Sequence, residues 1–237
     1  SAPTAAGVSA RYRRPFAAAW YPDDGRPEPV RSVCPALVRD DDPALDVPRR
    51  FASECVVANV GPDPAFDGQP FVHGPLSFAW DGVLDRYVEL FEPVLLGRLS
   101  TETRALTSSR TPAAALFMTW IEHLQGRTDA DGMADALEQM VGSLQDLALS
   151  HGATASFAVV ASNGQCLVTL RTGTDATLPA LYTVVASEPG AGLPPTGRRV
   201  ATEPTSAGAW TSLDAHSLTV FTLEDDVAGR DGGCLLY

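Results

Sequence analysis

The chain has no lysine: all 17 of its basic side chains are arginine, set against 29 acids, for a formal net charge of −12 over 237 residues. A surface this poor in positive charge excludes a nucleic acid or an anionic membrane held on a basic face, because phosphate binding needs clustered cations. Long apolar runs are also lacking. No stretch approaches the roughly 20 apolar residues that cross a bilayer, and the start shows no signal-peptide pattern. Cysteine is scarce: Cys34, Cys55, Cys166 and Cys234 are far apart and form no C-x-x-C pair. Neither a zinc site nor a disulfide framework has a basis in that spacing, and reduced thiols in a cytoplasmic protein are the expectation. Cys234-Leu235-Leu236-Tyr237 makes a poor prenylation box, since no polybasic segment precedes it.

Metal and phosphate chemistry find no support either. His73, His123, His151 and His216 lack ligand spacing, and no Gly-rich phosphate loop or nucleophile elbow is present. Asp40-Asp41-Asp42 before Pro43 reads as a solvated loop. No cofactor and no metal are expected. The preference for Arg, Ala, Asp and Gly over Lys, Ile and Asn is that of a high-GC, bacterial genome.

What is present is a chain with 45% apolar residues, enough to bury a sizeable core. It is read as a single domain over 1–237, with 1–14 an arm or loop. Strands are expected at 16–21 and 30–33 around the turn Pro22-Asp23-Asp24-Gly25, and at 54–60. Thr111-Pro112 supplies an N-cap and an N1 proline for a buried helix over 113–124. Met133, Leu137, Met140, Val141, Leu144 and Leu147 form one stripe of a helix over 131–150. Two β-rich runs, 155–161 and 165–171, flank Asn163-Gly164 as a hairpin. Further strands are expected at 182–187 and 218–223, with a loop over 190–197.

One stretch organises the rest, Phe71 to Tyr87, FVHGPLSFAWDGVLDRY. Leu76–Trp80 reads as a strand and Asp81-Gly82 as a sharp corner. Val83, Leu84, Tyr87, Val88 and Phe91 then open a helix that Pro93 breaks, with polar linker over 100–109. A strand handing over to a helix through a Gly corner leaves backbone N–H groups exposed, a common seat of chemistry.

This stretch resembles the central motif of class II glutamine amidotransferases, the N-terminal-nucleophile hydrolases, and most nearly the γ-glutamyl hydrolase branch of ergothioneine biosynthesis. The approach Pro70, Phe71, His73, Gly74, Leu76, Phe78 matches that family. So do Phe16, Trp20 and Tyr21 within a second signature, and Val185-Ala186-Ser187-Glu188-Pro189 near the final strands. The resemblance spans roughly nine tenths of the chain by motif. It implies an α+β fold, a four-layer αββα sandwich with helices outside two facing antiparallel sheets.

The resemblance also implies where a glutamine-hydrolysing site should lie, and there the chain departs from the pattern. The family corner His-Asn-Gly is here Trp80-Asp81-Gly82, so an acid stands where the Asn donates to the developing oxyanion. Gly61 takes the position of the Arg that pairs with the substrate carboxylate, and a guanidinium has no substitute in a residue without a side chain. Arg110 stands at or beside the Asp that holds the ammonium, and Arg14-Pro15 replaces a substrate-shaping Asp-Gly. The family's nucleophile is a Cys opening the first strand. That strand is expected to be missing ahead of Trp20-Tyr21, which leaves Ser1, or a strand preceding it, as the candidate nucleophile.

Two expectations follow. One is a catalytically degenerate relative that binds a ligand, or partners an active enzyme of a small-molecule biosynthetic pathway or a second copy of itself. The alternative is an active amidohydrolase cleaving a γ-glutamyl amide bond, with Ser1 or a strand preceding it as nucleophile. Trp80 suits either a core filler or an aromatic wall for a ligand or partner.

Overall fold

The computed structural model describes residues 14–22, 26–38, 53–60, 68–186, 197–204, 209–222 and 234–236. Ser1, Gly61, the acidic run at 40–42 and the 1–13 arm lie outside them. Within this set the strands are β1 (Arg14–Pro22), β2 (Val30–Val38), β3 (Ser53–Val60), β4 (Phe71–His73), β5 (Leu76–Leu84), β6 (Ala155–Ser162) and β7 (Cys166–Gly173). They are followed by β8 (Tyr182–Ala186), β9 (Gly197–Ala201), β10 (Thr211–Ser212), β11 (Ser217–Thr222) and β12 (Cys234–Leu236). The helices are α1 (Glu92–Gly97), α2 (Thr101–Arg104), α3 (Pro112–Leu124) and α4 (Ala130–Ser150). The mixture is α+β.

The strands form two sheets, one of seven strands in the order β10-β8-β9-β12-β3-β1-β2 and one of five in the order β11-β7-β6-β5-β4. Period-two alternation decides what each face of the five-stranded sheet meets. Leu76, Phe78 and Leu84 of β5 point to one side and pack with α3 and α4, where Phe78 lies 5.4 Å from Trp120 and 6.0 Å from Phe117 between ring centroids. Phe71 of β4 stacks on Phe117 at 5.3 Å. On the other side Ala79, Ala158, Val160 and Leu167 meet Tyr21, Cys55 and Val57 of the seven-stranded sheet. Helices, five-stranded sheet and seven-stranded sheet are therefore three successive layers among the described residues.

Local chemistry sets the helices as expected. Thr111 accepts from the Ala114 N–H at 3.3 Å with Pro112 in the first turn, and Asp129 accepts from Gly132 N–H at 2.7 Å to start α4. α3 is buried nearly all round, and Trp120 donates its ring N–H to the Met133 carbonyl of α4 at 3.3 Å. The 155–173 hairpin turns at Asn163-Gly164, where Asn163 Oδ1 accepts from the N–H groups of Gln165 and Cys166, both at 2.9 Å.

The central stretch is built differently from its expected form. Asp81-Gly82 is no corner: β5 runs on through it, pairing Asp81 with Ala158, Gly82 with Phe157 and Leu84 with Ala155. The reason for Gly82 is close approach, since a Cβ there would lie 2.0 Å from the Ser156 carbonyl oxygen. The chain turns instead at Asp85-Arg86, with Arg86 left-handed at φ 54 and its guanidinium donating to the His151 carbonyl at 2.6 Å. Val83 is consequently not in a helix, and both it and Val88 are exposed.

Helical structure begins as a single π-helical turn, Tyr87–Phe91, and Pro93 opens α1 rather than ending a helix. A proline in the first turn has no intrahelical N–H to lose, so it suits a start better than a stop. The supposed linker contains α2, because the Ser100 hydroxyl accepts from the Thr103 N–H at 3.2 Å and caps it. Gly197, expected to end a loop, begins β9.

Candidate functional site

The two sheets meet in levels that the ladder registers define. At one end Tyr21 OH donates within a cluster containing the Ser77 hydroxyl at 2.9 Å and the Ser162 carbonyl at 2.8 Å. Cys55 Sγ is 3.2 Å from Ser162 Oγ, which donates to the Cys166 carbonyl at 2.8 Å and accepts from the Gly164 N–H at 3.0 Å. The polar side chains of this end are bonded to one another or to backbone. Burial pushes the Tyr21 phenol above its usual range, raises Cys55 to about 12 and raises Cys166 to about 11.

Two residues further along each strand come the pairs Ala19–Val57 in one sheet and Ala79–Val160 in the other, and two further again the pairs Ala17–Asn59 and Asp81–Ala158. The start of β1 at Arg14 and the finish of β3 at Val60 thus share an end of the sandwich with Asp81-Gly82. Tyr21 and Ser77 occupy the opposite end.

At this second end the residues grow polar and exposed. Asn59 is half-buried and Asp81 exposed, and no hydrogen bond or ion pair holds the Asp81 carboxylate among the described residues. Ser156 is buried, and its hydroxyl accepts from the Val83 N–H at 3.0 Å. Arg171 sits one strand beyond Ala158 at the same level. Its guanidinium donates to the carbonyls of Pro179 at 2.8 Å and Leu213 at 2.5 Å, tying two loops to β7.

Backbone parity gives Gly82 a chemical feature of its own. Trp80 sends its N–H to Gln69 Oε1 at 2.6 Å, on the β4 side of β5, whereas Val83 sends its N–H to Ser156 on the β6 side. By alternation the Gly82 N–H points the same way as that of Trp80, past the point where β4 has ended. It is an aimed donor at the end of the sandwich where Asp81 stands.

The other expected positions do not join it. Trp80 faces the helical layer, where it packs against the core with its ring N–H buried and lacking a hydrogen-bond partner. Arg110 also lies on that side, with its Nη1 3.9 Å from Glu92 Oε1 and its side chain 80% exposed. Its carbonyl receives the Tyr87 hydroxyl at 3.4 Å, and burial, aided by Glu92, pushes the Tyr87 phenol up to about 12. Asp81 and Arg110 therefore stand on opposite faces of the five-stranded sheet. Arg14 is in β1 at the Asp81 end.

Asn59, Ser156 and Arg171 are the polar residues of this end that the sequence reading did not single out. The one available signal was parity: each falls on the same side of its strand as an inter-sheet residue two positions away. No group of His, Cys, Asp and Glu that could hold a metal ion occurs among the described residues. No described helix is long and apolar enough to cross a membrane.

Comparison with known proteins agrees on the fold. A glutamine aminotransferase class-II domain protein from Silicibacter pomeroyi superposes with TM-score 0.63 at 21% identity, over 90% of this chain and 94% of that one. A protein from Pseudomonas aeruginosa described as a predicted glutamine amidotransferase superposes with TM-score 0.50 at 16% identity, over 91% of this chain and 87% of that one. No family profile and no curated protein matches the sequence. At these identities the likeness is one of fold.

Proposed function

We propose that this chain uses a class II glutamine amidotransferase-like scaffold, the four-layer sandwich of N-terminal-nucleophile hydrolases, for binding in place of glutamine hydrolysis. Asp81 is the observation that supports this reading. A tetrahedral intermediate at the Gly82 N–H would develop its negative charge beside a carboxylate that no ion pair among the described residues neutralises, which raises the barrier instead of lowering it. Arg110 adds support, because at the position that the resemblance gives to the ammonium clamp it carries the wrong sign and lies 3.9 Å from Glu92 on the helical side. A scaffold so altered acts as a ligand holder, or as the partner of an active enzyme in a small-molecule biosynthetic pathway of a bacterial cytoplasm.

A second reading draws on the aimed Gly82 N–H and on the convergence of β1, β3 and β5 at one end. It is an amidohydrolase that cleaves a γ-glutamyl amide with Ser1, or a residue preceding it, as nucleophile. Ammonia release from glutamine, and glutamate release from γ-glutamyl amides and thioethers, separate the two. The binding reading expects no turnover above buffer. Turnover by the pure chain that disappears on removing Ser1 would establish the second.

A further inference from the structure

The seven-stranded sheet is two three-stranded ribbons, β10-β8-β9 and β3-β1-β2, joined through β12 alone. β12 is three residues long and pairs in parallel on both sides, Cys234 with Arg198 and Leu235 with Arg199 on β9, and Cys234 with Cys55 and Leu235 with Val56 on β3. Two of the four cysteines therefore stand directly abreast on neighbouring strands. Adjacent strands run about 4.7–4.9 Å apart, inside the 4.4–6.8 Å Cα separation that a disulfide spans without backbone movement. Spacing along the sequence gives no hint of it, since the two residues belong to opposite ends of the chain.

We propose that Cys55 and Cys234 are a reversible disulfide pair that staples β12 to β3 and so locks the two ribbons into one sheet. The oxidant is a small-molecule disulfide such as oxidised glutathione. The Cys234 thiolate attacks one sulfur, forming a mixed disulfide and releasing one glutathione thiolate. Cys55 then gives up its proton and attacks Cys234 Sγ, expelling the second glutathione. One disulfide is reduced, one is formed, and two protons pass to the two leaving thiolates. Cys55 is 2% exposed and its thiol is held well above its ordinary range by burial, so it serves as the resolving thiol of the second step. The second step follows when β12 and β3 lie side by side.

The arrangement of arginines makes the test direct, because trypsin leaves the four cysteines on four different peptides: 32–39, 51–86, 128–171 and 231–237. The full chain is incubated with oxidised glutathione, alkylated under denaturing conditions and mapped without reduction. Peptides 51–86 and 231–237 are expected to travel as one ion that separates on reduction, with Cys34 and Cys166 alkylated. Cys234→Ser is expected to abolish the linked ion, and oxidation is expected to raise the urea midpoint of the parent chain but not of the variant. Glutathione left on Cys234 beside an alkylatable Cys55, or linkage through Cys34 or Cys166, overturns the pairing. The result is independent of whether the chain hydrolyses glutamine.

Discussion

The two ends of the inter-sheet space are built from the same strands and are chemically opposite. At the Tyr21 end the polar groups of the cluster are bonded to one another: a buried phenol, two buried serine hydroxyls and a buried thiol, with the half-buried turn N–H of Gly164. At the Asp81 end a carboxylate stands exposed and Asn59 is half-buried, while the Gly82 N–H is aimed past the edge of β4. Buried polar groups are retained only where their bonds are complete, and exposed ones can be left unpaired because water meets them. The first end is therefore a fastening, and the second is open to solvent and carries the polar groups on which the binding proposal rests.

Substituting at the two ends should give effects of different size. Gly82→Ala is expected to be the most damaging, roughly 3 kcal/mol or more, because its Cβ meets backbone that cannot swing aside. A chemical-denaturation midpoint within error of the parent would mean that β5 and β6 part easily at this point.

Alkali should come next. Cys55 and Cys166 keep their protons to about 12 and about 11 in the folded state, while an exposed thiol loses its own near 9. Folded pKa values raised in this way stabilise fully below the unfolded value, and that contribution is lost as pH rises through the folded ones. Stability should then fall steeply from about pH 9 to about 12, and less steeply in Cys55→Ala. Equal slopes in parent and variant would show that the thiol does not belong to the fastening.

Tyr21→Phe should cost about 1–3 kcal/mol, the usual result of leaving buried acceptors without their donor. A neutral outcome, measured by urea unfolding, would mean that water reaches this end.

Asp81→Asn is expected to change stability by no more than about 0.5 kcal/mol, as for an exposed residue without a partner. A drop of several kcal/mol would place Asp81 in a fastening of its own and erase the contrast between the two ends.

Much of the fold was legible because period and punctuation are local. The capped, proline-led start of α3, the stripe of α4 and the Asn-Gly hairpin all lie where sequence alone put them. The site was less legible. Asp-Gly is a turn signal in most contexts, but here Gly82 serves a close approach to Ser156, which belongs to a strand more than 70 positions away. The resemblance puts Arg110 at or beside the residue that holds the substrate ammonium and leaves its position relative to Asp81 open. The parity of β5 and the ion pair with Glu92 place them on opposite faces, and no spacing along the chain reports which face a loop residue will reach.

The sequence by itself determined the capped starts of α3 and α4, the Asn-Gly hairpin and the scarcity of positive charge. Those follow from side-chain chemistry and short-range periodicity, which each residue carries wherever it goes. Tertiary structure alone decided which residues share a level between the sheets, that Trp80 turns toward the helices, and that Cys234 comes abreast of Cys55. Register between distant strands sets these, and it is fixed by the packing of two whole sheets against each other rather than by any local preference.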